Sequence, residues 1–98
     1  MTHDLIEAFI EKWLDFQLQI RQKDGFNEPL FEELVKLLQQ IKPLLERKDS
    51  IPKSLAEIFL DMWGAMTSCA EMYGIDVQQR IYVAADHLTN HARDICTS

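Results

Sequence analysis

Apolar residues recur at three- and four-residue intervals through four successive stretches of this chain, and no stretch alternates with period two. The first spacing gathers side chains on one stripe of a helix, whereas the second would gather them on one face of a strand. An all-α fold follows. At 98 residues the chain suffices for a single helical domain, residues 1–98, built around one core.

The first stretch, expected from about Asp4 to Lys23, places Leu5, Ile6, Phe9, Trp13, Phe16 and Ile20 on a common face. Asp4 and Glu7 have the spacing of a capping box, and Asp24-Gly25 supplies a stop, because glycine enters the left-handed region without strain. The second stretch opens after Asn27, an N-cap type, with Glu28 and Pro29 in its first turn. Leu30, Leu34, Leu37, Leu38, Ile41, Leu44 and Leu45 hold one phase across Pro43. That continuity predicts one helix, kinked at Pro43 and reaching about Arg47, over a break at Lys42 followed by a short helical turn.

The third helix has either Ser50 or Ser54 as its cap, the latter with Glu57 as partner, and is expected to end at Tyr73-Gly74. Leu55, Ile58, Phe59, Met62, Trp63, Met66, Cys69, Ala70 and Tyr73 cover a wide arc, which predicts the most buried helix of the four. Asp76, with Gln79 three residues on, opens the fourth helix. Its inner stripe is Val77, Ile81, Ala84, Ala85, Leu88, Ala92 and Ile95, and the pattern fades at Cys96. Short connections between helices of about twenty residues predict an up-down-up-down four-helix bundle, in which the first and third helices lie on a diagonal.

Charge and cysteine usage narrow the functional classes. Ten Lys and Arg are dispersed among sixteen Asp and Glu, a net charge of −6. No basic stripe exists to track phosphates, so no nucleic-acid partner is expected. The same field repels anionic membranes, and no apolar run approaches the length of a span, so no membrane association is expected either. Met1-Thr2-His3-Asp4 lacks the basic start and apolar stretch of a secretion signal. Cys69 and Cys96 are too few for a disulfide framework or a zinc knuckle, which leaves a reducing, cytoplasmic setting as the expectation.

The best pattern for chemistry is His87, His91 and Asp94. Two imidazoles four residues apart on a helix can reach one metal, and in an up-down bundle His3, Asp4 and Cys96 could approach to complete its sphere. The competing reading places both histidines on the shoulder of the core, where a ring packs by its edge and keeps one nitrogen wet. Neither HExxH nor paired Glu-x-x-His motifs are present, and the shoulder reading is preferred, so no metal and no other cofactor is expected. Met62, Met66 and Met72 with Cys69 read as gap-filling core rather than a copper site. Glu32-Glu33 reads as a solvated face, and no glycine-rich phosphate loop occurs. No enzyme is expected.

Two apolar strips exceed what a bundle needs for its own core. Ile10, Leu14 and Leu18 form a ridge displaced from the inner face of the first helix, with Trp13 at its edge. Leu60, Gly64, Thr67 and Ser68 make the outer side of the third helix small or apolar where charges are usual. Surplus strips of this kind mark contact surfaces. The expected function is therefore a small non-enzymatic protein–protein interaction domain, homodimeric or bound to another protein through these strips. The alternatives are an acidic inhibitor or immunity-type protein for a basic partner, and a metal-binding bundle using His87 and His91.

Overall fold

A computed structural model describes residues 2–46 and 48–97. Four helices account for most of them: α1 (Thr2–Arg21), α2 (Glu28–Leu45), α3 (Lys53–Thr67) and α4 (Ile75–Thr97), with a single 3-10 turn at Ala70–Met72 and no strand among the described residues. Pro43 lies inside α2 on its exposed side, and the helix runs on through it to Leu45. The expected end at Arg47 falls outside the described residues.

The helix ends are set by fewer side-chain caps than the sequence suggests. Asn27 caps α2 as expected: its Oδ1 accepts from the Leu30 N–H at 3.1 Å, while its amide donates to Gln19 Oε1 at 3.1 Å. One side chain thus starts α2 and holds the end of α1. α1 begins two residues ahead of Asp4, which therefore sits in the first turn rather than at the cap, where its charge still suits the helix N-terminus. At α3 neither Ser50 nor Ser54 is the cap. Pro52 occupies that place, and its carbonyl accepts from the Leu55 and Ala56 N–H groups. Asp76 likewise falls inside the first turn of α4, the Gly74 carbonyl accepting from the Gln78 N–H at 2.9 Å.

The end of α1 departs from expectation in an instructive way. The left-handed residue is Lys23, at φ 63°, two positions before Gly25. The Asp24 N–H reaches back to the Gln19 carbonyl at 2.8 Å and the Lys23 N–H to Ile20 at 3.2 Å, the paired bonds of a Schellman stop. Gly25, at φ 111°, then completes the reversal into α2.

The inner stripes form one core. Phe9, Phe16, Leu34, Leu38, Ile41, Leu55, Met62, Met66, Ile81 and Leu88 are fully enclosed, and no polar or charged side chain is buried among the described residues. α1 packs on α2 and α3, and α4 packs on the same two helices. α1 and α3 are therefore neighbours, not diagonal partners. Phe9 meets Phe59 edge-on at 6.3 Å, an aromatic contact that the wide apolar arc of α3 makes available. That arc also ends early: α3 stops at Thr67, and Ala70 and Tyr73 belong to the turn that follows.

Candidate functional site

The ridge of α1 is partly free. Leu14 is 50% exposed and Leu18 42%, whereas Ile10 is partly buried against the core. Trp13 takes the inner-face place that its helical spacing predicts and not the one at the ridge edge. It is 4% exposed and packs 6.2 Å from Phe16, so it is a core residue and offers nothing to a partner.

Ile10 opens into a groove of about 840 Å³ between the first half of α1, the end of α2 and the connection into α3. Ile6, Ile10, Leu45, Ile51 and Pro52 supply its apolar wall, with His3, Glu7, Glu11 and Lys48 also on its lining. His3 lies 3.2 Å from Glu7 on its own helix. It is thus paired locally, and among the described residues no three metal-ligating side chains gather. No spacing along the chain announces this groove, because its walls come from three segments whose meeting is a property of packing.

On α3, Leu60 stands 85% exposed and Gly64 is exposed beside it. Thr67 and Ser68 turn their hydroxyls inward to the helix, onto the carbonyls of Trp63 and Ala65. Two residues expected in the core are on the surface instead: Trp63 is 46% exposed and Met72 42%. For Trp63 the reason is polar. Its indole N–H donates to Asp86 Oδ1 at 2.9 Å, a link between α3 and α4 that keeps the ring at the seam.

His87 and His91 do come together on α4. Their Nε2 atoms are 3.1 Å apart and their rings stack at 4.9 Å with planes 21° apart. Phe31 of α2 meets the His87 ring edge-on at 5.8 Å. Burial, then the neighbouring His87, lowers the pKa of His91 below the ordinary histidine value; Asp94 opposes this and Lys42 of α2 adds to it. Asp94 and Asp86 share a shallow depression with the pair.

No family model, curated protein or solved structure matches this chain.

Proposed function

We propose that this protein is a non-enzymatic interaction domain that pairs with a second copy of itself through the exposed row of α1. The observation that carries the reading is the continuity of that row: Leu14 and Leu18 stand half exposed, and the same four-residue spacing leads through Ile10 into the groove. Rows of residues spaced by four interdigitate between helices at a crossing angle of about −50°. A two-fold contact sets the same surface against itself, so one row can serve both copies.

Charge also favours an antiparallel pairing centred on Leu14. Glu7 and Arg21 are each seven residues from Leu14 on nearly the same side of the helix, so each copy would set an acidic residue over a basic one of its partner. Leu60 and Gly64 lie apart from the groove, and a single exposed leucine is ordinary on a protein surface. In this reading the four helices alternate up-down-up-down with α2 kinked at Pro43. The protein works in the cytoplasm, where its two unpaired cysteines stay reduced. The competing acidic-inhibitor reading rests on the net charge of −6 and the small size of the chain. Solution mass separates the two: self-pairing gives a dimer without any other protein, and substitution of Leu14 and Leu18 by Glu returns a monomer.

A further inference from the structure

The geometry points to a divalent transition-metal site on α4, in which the Nε2 atoms of His87 and His91 chelate the ion and water fills its remaining positions. The two nitrogens already stand 3.1 Å apart. A zinc ion bound to both at metal–nitrogen distances of about 2.0–2.1 Å would subtend an angle of about 100°, between the octahedral and tetrahedral values. The rings, stacked with planes 21° apart, must turn about their own bonds until both lone pairs face the ion.

Only one proton can lie between two nitrogens 3.1 Å apart. One imidazole donates through Nε2–H and the other accepts, the tautomers deciding which. With both rings neutral, transfer of that proton to Nδ1 of the same ring frees both Nε2 lone pairs and the chelate forms without net loss of a proton; a protonated ring would release one. Phe31 lies edge-on to His87 and His91 is half-buried, so the pair stays close together while the rings unstack around the ion.

The surroundings suit a cation held loosely. Asp94 lies one turn beyond His91 and its charge acts on that ring, while Asp86 and Asn90 edge the same depression, where water could link them to the ion. Lys42 opposes from α2. Because no third protein ligand stands with the pair among the described residues, the site is open and exchangeable, unlike the closed sphere of a structural zinc. Two imidazoles favour copper, nickel and zinc over magnesium or calcium.

The test uses zinc chloride and calorimetry on a His3→Ala, Cys96→Ser background, which leaves His87 and His91 as the only histidines and removes the exposed thiol. Saturable binding of one zinc per chain is expected, with no response to calcium. His87→Ala and His91→Ala should each weaken zinc binding about a hundredfold, because either one abolishes the chelate. Zinc should also raise the thermal midpoint of the background protein and leave that of either alanine variant unmoved. His87 is exposed, so its replacement leaves the core intact, and circular dichroism confirms that the helices persist. Absence of saturation at millimolar zinc, or binding that survives either substitution, would overturn the assignment.

Discussion

The Tyr73 hydroxyl donates to the Ile20 carbonyl at 2.8 Å and accepts from the Gly25 N–H at 3.2 Å, tying the turn after α3 to the end of α1. One side chain thereby satisfies two backbone groups of the α1–α2 connection across 53 and 48 residues of sequence. Tyr73→Phe keeps the ring and removes both bonds, and should cost about 1–2 kcal/mol. Urea denaturation reads this as a lower midpoint with an unchanged slope. An unchanged midpoint would mean that water replaces the hydroxyl at no cost.

Lys23 occupies a left-handed position that side chains tolerate poorly. Glycine is freer in the unfolded chain, which offsets part of the relief, so Lys23→Gly should stabilise by about 0.5–1 kcal/mol. The same denaturation experiment measures it, and a loss of stability would show that the lysine makes a compensating contact.

Gly64 lies in α3 with nothing within 4 Å of where a Cβ would stand. Gly64→Ala should therefore raise stability by about 1 kcal/mol through helix propensity alone. Its solution mass should match the wild type, since the proposed contact lies on α1. A change in mass on Gly64→Ala would move the contact to α3.

These three sites also mark how far the sequence was legible. The inner faces were: Phe9, Phe16, Leu34, Leu38, Ile81 and Leu88 lie in the core where helical spacing puts them. Spacing says which face is apolar but not which neighbour covers it, so the adjacency of α1 and α3 and the groove at Ile10 were out of reach. Trp63 left its expected place for the same reason, drawn to the seam by Asp86, whereas Trp13 keeps the inner-face place of its spacing and is lost to the ridge. Lys23 shows that a stop signal can be right while its left-handed residue lies two positions away.

His91 makes stability depend on pH. Burial and His87 lower its pKa in the fold, with Asp94 opposing and Lys42 assisting, so the unfolded chain binds more protons between the lowered value and about 6.5. The contribution is present in full above that window and is lost as pH falls through it. In chelator, wild type should lose more stability than His91→Gln between neutral and mildly acidic pH. Parallel pH profiles for the two proteins would contradict this.

Sedimentation equilibrium tests the central claim, self-pairing through Leu14 and Leu18. The wild type should sediment as a dimer at twice the 11.5 kDa chain mass, and the Leu14→Glu, Leu18→Glu double variant as a monomer with its helical signal retained. A wild type that stays at 11.5 kDa at high concentration, or a double variant that remains dimeric, would contradict the account.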